Sequence, residues 1–299
     1  MSVALIGVDW GTSNLRAWGF DAAGGVVARS SAASGISAVR DGDYARVLHD
    51  LVGGWSDGPV PILLGGMIGS RQGWHEASYL PCPAHPSGLA GQALRIETGL
   101  GPGWIVPGVS CIDTAGVHDV MRGEEVQLLG AGIGDGIAVL PGTHSKWVRM
   151  ERRAIASFRT FMTGELFALL KTHSLLGRLM EEGGPADWPA FDSGVDRALA
   201  NPALTALLFG VRTEGLFGRI APQGLADYLS GLLIGAELAA AAADRAQPVT
   251  IIGEGALVDR YVRAMARAGF TAPDVVAGDD AASAGLWRIG QEIMEGRQA

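Results

Sequence analysis

Residues 3–8 of the chain, Val-Ala-Leu-Ile-Gly-Val, form a short apolar run with β-branched members, which predicts a buried strand. Residues 15–20 then alternate, with Leu15, Ala17 and Gly19 set against Arg16, Trp18 and Phe20, as in the return strand of a hairpin. The strand-and-turn texture continues over 26–38. Tyr44, Val47, Leu48 and Leu51 fall on one face of a helix predicted over 43–52. A strand at 60–64 runs into the glycine-rich GGMIGSRQGW of 65–74, and such a junction is where α/β folds place ligands. Residues 79–91 are rich in Pro and Gly and read as irregular, and a short strand is expected at 104–106.

The pattern starts afresh in the second half. A helix is expected from Gly123, with Glu124 and Glu125 in its first turn, where the helix dipole favours carboxylates. A strand at 137–140 leads into a Gly-Thr turn and an alternating strand ending at 150. Helices are predicted over 161–176, 198–208 and 225–243, then a strand at 249–252 entering GEGAL at 253–257. Further helices are expected over 259–268 and 283–295, the last with small residues at Ser283, Ala284 and Gly285. Strands interleaved with helices indicate an α/β fold. Each half opens with strand, Gly-Thr turn and strand, although no sequence repeat is visible. This predicts two related domains facing a cleft, 1–115 and 116–299.

Composition narrows the function classes. The 299 residues are 48% hydrophobic and 18% charged, which describes a globular chain with room for proper cores. A net charge of −8 argues against a nucleic-acid partner. An anion site would therefore be built from local amides, a metal and a few cations. The two cysteines, Cys82 and Cys111, lack metal-ligand spacing and are expected as buried free thiols in a reducing cytoplasm. Asp227 and Glu237 interrupt the apolar helix at 225–243, so it reads as a buried helix, with no membrane partner expected. A core strand from Val3, without a basic leader, adds to the cytoplasmic expectation.

Two turns carry candidate chemistry. Asp9 ends the first strand, and Gly11, Thr12 and Ser13 follow. Glycine between hydroxyl residues lets backbone N–H groups crowd around an anion, and a carboxylate beside such a turn suits magnesium. The alternative is an ordinary glycine-containing β-turn. In the second turn, Gly142, Thr143 and His144 repeat the arrangement. Lys146 lies two residues past His144 on the expected strand and so on the same face, either adding a charge or forming a surface salt bridge. His49, His75, His85, His118 and His173 show no metal spacing.

Taken in order, these pieces resemble the sugar kinases of the actin/hexokinase/heat-shock ATPase superfamily. Asp9-Trp10-Gly11-Thr12-Ser13 is similar to its first phosphate motif and Gly142-Thr143-His144 to its second. Ile251 to Ala256, with Gly253 and Gly255, is similar to its adenosine motif, and the Ala-rich 231–243 to an interdomain connecting helix. The strings DWGTSNLRAW, GMIGSRQGW, PCPA, VMRGEEVQLLG, LPGTHSKWV, TFMTGELFALL and HSLLG resemble the 2-dehydro-3-deoxygalactonokinase family. The resemblance implies two ribonuclease H-like domains of the actin-like ATPase fold, with ATP and Mg2+ as cofactors. It also implies transfer of the γ-phosphoryl to the terminal hydroxyl of 2-dehydro-3-deoxy-D-galactonate, giving the 6-phosphate that an aldolase later cleaves in galactonate catabolism. Rival readings are a kinase of another sugar or keto-deoxy sugar acid, or a nucleotide-gated sugar-binding regulator on the same fold. Such a regulator usually carries an added DNA-binding segment, and none is visible. A homo-oligomer is left open.

Residue roles follow from that resemblance. Asp9 would anchor the metal, Gly11, Thr12, Ser13, Gly142, Thr143, His144 and Lys146 the phosphates, and Gly253 and Gly255 the nucleoside. In the glycerol/xylulose kinases a Gly-Asp-Gln at a helix start supplies the base that activates the acceptor hydroxyl. Gly123-Glu124-Glu125 holds the comparable place here, with Glu in place of Asp. Glu124 is the leading base, Asp119 and Asp113 are the runners-up, and a pure helix-dipole role for Glu124 stays open. The sugar-acid carboxylate calls for an arginine fork. Arg16, Arg71 and Arg122 sit beside glycine-rich turns; Arg71 is favoured, with Gln72 and Trp74 as polar and apolar walls. Thr163 and Glu165 read first as caps of a helix start and second as substrate contacts.

Overall fold

A computed structural model describes residues 2–201, 203–241 and 245–296. In order these form β1 (Leu5–Trp10), β2 (Leu15–Phe20), β3 (Val26–Ala32), α1 (Tyr44–Val52), β4 (Ile62–Gly65), β5 (Tyr79–Pro81), α2 (Pro86–Gly91), β6 (Leu94–Glu97), β7 (Pro102–Ile105), β8 (Gly108–Ile112), β9 (His118–Met121) and α3 (Glu124–Gly130). There follow β10 (Gly136–Leu140), β11 (Ser145–Glu151), β12 (Ala154–Phe161), α4 (Thr163–His173), α5 (Trp188–Ala200), α6 (Leu204–Leu216), α7 (Leu225–Ala241), β13 (Val249–Ile252), α8 (Ala256–Arg267), β14 (Asp274–Val276) and α9 (Gly278–Glu295).

The chain divides into two compact units. The first holds residues up to Asp135, Arg149–Phe158 and everything from Ala277 onward; the second holds Gly136–Val148 and Arg159–Val276. The boundary expected at 115/116 therefore falls inside the first unit. The reason lies in packing. β9 pairs antiparallel with β8, and α3 packs on α9 so closely that a Cβ on Gly130 would lie 1.8 Å from the Ala281 carbonyl oxygen. The last helix thus returns to the first strand, where a Cβ on Gly7 would lie 2.9 Å from Leu286 Cβ.

The first unit is built on a six-stranded sheet of order β3-β2-β1-β4-β7-β6, with a smaller sheet β5-β8-β9. β1 is antiparallel to β2 and parallel to β4, so the ends of β1 and β4 carry their following loops at one edge. Its core gathers Val8, Trp10, Leu48, Ile62, Leu64 and Ile105. The second sheet runs β12-β11-β10-β13-β14, repeating the β3-β2-β1-β4-β7 order and giving structural form to the echo read from the two Gly-Thr turns. The second unit's cores centre on Phe191, Val195, Ile251 and Tyr261, and on Tyr228, Leu229 and Leu232. In it α5 and α7 meet at near-backbone contact, since a Cβ on Gly231 would lie 2.1 Å from the Phe191 carbonyl oxygen.

Several expected elements shift. The stretch expected as irregular at 79–91 contains β5 and α2. The single helix expected over 198–208 is the end of α5 and the start of α6, with Pro202 outside the described residues. Asn201 is extended and its side chain accepts from Ala203 N, in keeping with the bias a following proline imposes. α9 begins at Gly278, five residues earlier than expected. α7 is described to Ala241, so the expected Ala242 and Ala243 lie outside the described residues. Pro222–Ala241 has the length and hydropathy of a membrane span, yet 78% of that window is buried within the protein.

Candidate active site

Asp9, near the end of β1, lies in register with Arg16 on β2 and Gly65 on β4. Arg16 donates to Asp9 Oδ2 and, from its other terminal nitrogen, to Asp279 Oδ1 in the first turn of α9. Burial drives the Asp9 carboxyl above the usual carboxylate range; the charge and hydrogen bond of Arg16 offset this only in part, and Asp279 adds to the rise. Desolvation opposes the Arg16 guanidinium, but the two aspartates outweigh it and raise its pKa. A sequence reading centred on the turn had no route to Asp279, which is remote in the chain.

The turn after Asp9 is held by backbone. Gly11 N donates to Asn14 O at 2.9 Å, closing it. The amides of Gly35, Ile36 and Ser37 donate to the carbonyls of Ser13, Gly11 and Thr12 at 3.0, 3.0 and 3.1 Å. Ser37 Oγ adds a 2.7 Å bond to Thr12 O. With its carbonyls so engaged, the turn lines a cavity of about 650 Å³ together with Arg16 and Ser31 to Ala33. A Cβ on Gly35 would lie 2.2 Å from Thr12 O, so only glycine fits there. This support was missed in the sequence; its one signal was a glycine directly after a strand, among serines.

The glycine-rich loop after β4 meets the same place. Gly66 has φ of 90°, and a Cβ there would lie 3.0 Å from Asp9 Oδ1. A Cβ on Gly123, whose φ is 108°, would lie 3.3 Å from Gly66 Cα. Two glycines in the left-handed region thus bring the start of α3 against the loop beside Asp9. Of the two acids that follow, Glu125 is fully buried and its Oε2 accepts from Gly123 N at 2.7 Å. Desolvation pushes the Glu125 carboxyl up to about 8, with the Glu124 charge adding to the rise. Glu125 is therefore protonated at neutral pH. Glu124 is half-buried and accepts from Arg122 N at 3.1 Å. Asp119 sits on β9 in register with Cys111 and accepts from Val120 N at 2.8 Å. Asp113 closes the β8–β9 turn by accepting from Ala115 N and Val117 N, both at 2.9 Å.

The three arginines separate by environment. The Arg71 side chain is 87% exposed and lies 3.5 Å from Glu76, and Gln72 beside it is exposed. Trp74 is half-buried and stacks on Tyr44 at 6.1 Å between centroids. Arg122 is only 9% exposed. It donates to Ala77 O at 2.8 Å and lies 4.4 Å over the Tyr79 ring. Its Nε and Nη1, like Glu125 Oε1 and Ser70 Oγ, have no hydrogen-bond partner among the described residues.

In the second unit, Gly142, Thr143 and His144 link β10 to β11, and the start of α4 packs on them. Glu165 N donates to Thr143 O at 3.0 Å, and a Cβ on Gly164 would lie 2.4 Å from Gly142 O. Glu165 and Thr163 do not cap α4. Glu165 Oε2 instead lies 2.5 Å from His144 Nε2, and Thr163 Oγ1 donates to Glu237 Oε2. Lys146 is 5% exposed and donates to Thr160 Oγ1 at 2.8 Å. It is therefore no surface lysine, and it does not share an exposed face with His144.

Gly253 and Gly255 lie between β13 and α8, with Gly255 at the α8 N-cap. Beside them a cavity of about 220 Å³ is lined by Gly142, Phe167, Ser230, Ala256, Arg260 and Tyr261, among others. One concave space thus adjoins both the Gly142 turn and the first turn of α8. Its mostly apolar walls with a few polar side chains are of the kind that take small organic ligands.

The sequence model of the 2-keto-3-deoxy-galactonokinase family matches residues 9–289, which contain all of these residues. The chain belongs to the 2-keto-3-deoxy-galactonokinase family. It is 37% identical over 298 residues to the 2-dehydro-3-deoxygalactonokinase of Escherichia coli (strain K12), covering 98% of this chain and 99% of that one. It is 40% identical over 290 residues to the Rhizobium meliloti (strain 1021) protein called "Probable 2-dehydro-3-deoxygalactonokinase DgoK1", covering 93% and 94%. A crystal structure from Sinorhizobium meliloti, provisionally given the same enzyme name, superposes with a TM-score of 0.90 at 36% identity, covering 97% of this chain and 99% of that one. Component A of the (R)-2-hydroxyglutaryl-CoA dehydratase of Acidaminococcus fermentans reaches a TM-score of 0.52 at 12% identity, which shows a shared fold alone. This member of the kinase family thus has the actin-like ATPase fold expected from its motifs. Its two cysteines form no disulfide; Cys111 is buried and Cys82 half-buried, with desolvation pushing the Cys82 thiol up to about 12.

Proposed function

We propose that this galactonokinase-family chain transfers the γ-phosphoryl group of ATP to the terminal hydroxyl of 2-dehydro-3-deoxy-D-galactonate. The products are the 6-phosphate and ADP, and the reaction runs in the cytoplasm as a step of galactonate catabolism. The observation that carries the reading is identity of 37% to a 2-dehydro-3-deoxygalactonokinase across 98% of this chain.

The residues fit roles in that chemistry. Catalysis of phosphoryl transfer is mostly positioning and charge compensation. Each unit carries a turn suited to phosphate, the backbone-held one with Thr12 and Ser13 in the first and Gly142 to His144 in the second. Magnesium takes oxygen ligands and needs only one or two carboxylates beside phosphates. Asp9 and Asp279, both bound to one guanidinium, and the Thr12 hydroxyl fit that requirement, with Asp9 as the anchor. When bound, the ion neutralises charge on the phosphate oxygens.

The acceptor hydroxyl oxygen forms the new bond to the γ-phosphorus as the bond to the β,γ-bridging oxygen breaks, and ADP leaves. The hydroxyl proton passes to Glu124, the half-buried member of the Glu124–Glu125 pair, whereas Glu125 is fully buried with its carboxyl pKa raised. Arg71, exposed and loosely held, is free to swing onto the substrate carboxylate. Arg122 is fixed beside the glycine-rich loop.

A coupled assay with Mg-ATP and a panel of 2-keto-3-deoxy sugar acids tests the reading. Turnover should be fastest with the galactonate compound. No turnover with any acid in the panel would overturn it, and a clear preference for another acid would reassign the substrate within the kinase class.

A further inference from the structure

Glu237 lies in the middle of α7, a helix of 17 residues whose other acid, Asp227, falls in the first turn. It is 3% exposed, and side chains from three other elements converge on it. Trp147 Nε1 of β11 donates to Oε1 at 2.8 Å. Tyr261 of α8 donates to Oε2 at 2.8 Å, and Thr163, the first residue of α4, donates to the same oxygen. Tyr261 in turn shares a 2.6 Å hydrogen bond with Ser145 Oγ, fully buried at the first position of β11.

The surroundings give this hub a purpose beyond filling the core. Ser145 directly follows Gly142, Thr143 and His144, and Thr163 starts the helix packed on that same turn. Tyr261 and Thr163 also line the cavity beside the first turn of α8, whereas Glu237, Ser145 and Trp147 are not among its lining residues. The carboxyl therefore holds, from behind, the strand leaving the turn, the helix resting on it and the wall of the adjoining cavity. We infer that Glu237 is a positioning residue that fixes the second phosphate turn against the nucleoside pocket, setting nucleotide affinity without touching the nucleotide. The inference rests on the reading of this cavity and turn as the ATP site. A buried acceptor that orients several donors at once fixes relative positions more tightly than separate pairs do.

The test is calorimetric titration of ADP and a non-hydrolysable ATP analogue into wild type, Glu237→Ala, Glu237→Gln and Ser145→Ala, with steady-state kinetics and thermal melts alongside. Glu237→Ala should weaken nucleotide binding about tenfold or more and raise the KM for ATP to match. The KM for the sugar acid should stay within about twofold of wild type, as expected where uniform binding of only one substrate is lost. Glu237→Gln should recover most of the affinity, because its carbonyl can face Trp147 while its amide donates to the two hydroxyls. Ser145→Ala, a single-atom deletion outside the cavity lining, should weaken binding about threefold and keeps the test open if Glu237→Ala does not fold. A Glu237→Ala protein with a lowered melting temperature but wild-type nucleotide affinity, or wild-type affinity in Ser145→Ala, would overturn the inference. Wild type that binds no nucleotide would instead overturn the ATP reading itself, and this inference with it.

Discussion

The two Gly-Thr turns begin from the same pattern, an apolar strand, the turn and a second strand, yet the structure supports them differently. The turn after Asp9 is held through main chain, by three amides from 35–37 on its carbonyls. The turn at Gly142 takes one main-chain bond, from Glu165 N to Thr143 O, and the elements that flank it are tied by side chains that meet at Glu237. Their surroundings differ as well. Near the first turn, polar capacity is left over: Arg122 Nε and Nη1, Ser70 Oγ and Glu125 Oε1 are buried without partners. Near the second, both oxygens of the buried acid are engaged, and Arg260 Nη1, on the wall of the adjoining cavity, is the corresponding buried atom without a partner among the described residues. Unpartnered buried charge is costly, and it persists where the surrounding packing enforces it. Under the proposed function, the first half carries the acceptor-side charge chemistry and the second half holds the nucleoside.

The largest expected effect sits in the first half. Glu124→Gln should lower kcat about 100-fold or more while leaving the calorimetric affinity for ADP unchanged, the reverse of the pattern expected for Glu237. Wild-type turnover in Glu124→Gln together with a dead Asp119→Asn would move the base to β9 and undo the division of labour. Next comes the main-chain support. Gly35→Ala forces a Cβ onto Thr12 O and should cost about 1–3 kcal/mol of stability in denaturant unfolding. An unchanged unfolding midpoint would mean that the first turn yields easily and is not fixed by its backbone bonds.

A third expected effect is a pH dependence. Glu125 is an acid whose folded pKa is raised, from 4.5 to about 8, so the folded state holds its proton where the unfolded chain has lost it. Its contribution to stability is present at low pH and is lost as pH rises through that window, by at most about 1.4 kcal/mol per pH unit. Glu125→Gln removes the dependence, so wild type should lose ground to the variant between pH 5 and 8, with the gap level above that range. Parallel stability curves across that range would show that Glu125 is ionised in the fold.

How much of this was legible depended on the distance over which each feature is determined. Asp9 to Ser13, Gly142 to His144 and Gly253 to Gly255 are local strings, and each lies at a strand end as expected. The helix at Trp188–Ala200 was masked because its sequence carries a proline and an internal glycine; that glycine serves close packing on α7 rather than a turn, since a Cβ on Gly194 would lie 2.3 Å from Tyr228 O. Asp279 beside Arg16, Ala77 beside Arg122 and the donors to Glu237 come from remote segments, so spacing along the chain holds no trace of them. Glu237 did leave a sign. It read as a blemish in an apolar helix, when a lone buried acid must have donors waiting for it.

The position of α9 sets an order of events for a chain made from its N-terminus. β1 precedes the whole of the second unit along the chain, but Gly7 cannot meet Leu286, nor Leu5 meet Gly290, until α9 leaves the ribosome after that unit. The Arg16 guanidinium waits as long for Asp279. The unit that starts first thus finishes last, and during synthesis its central sheet needs an interim cover, from a chaperone or from loose contacts of its own, over the face that α9 later occupies.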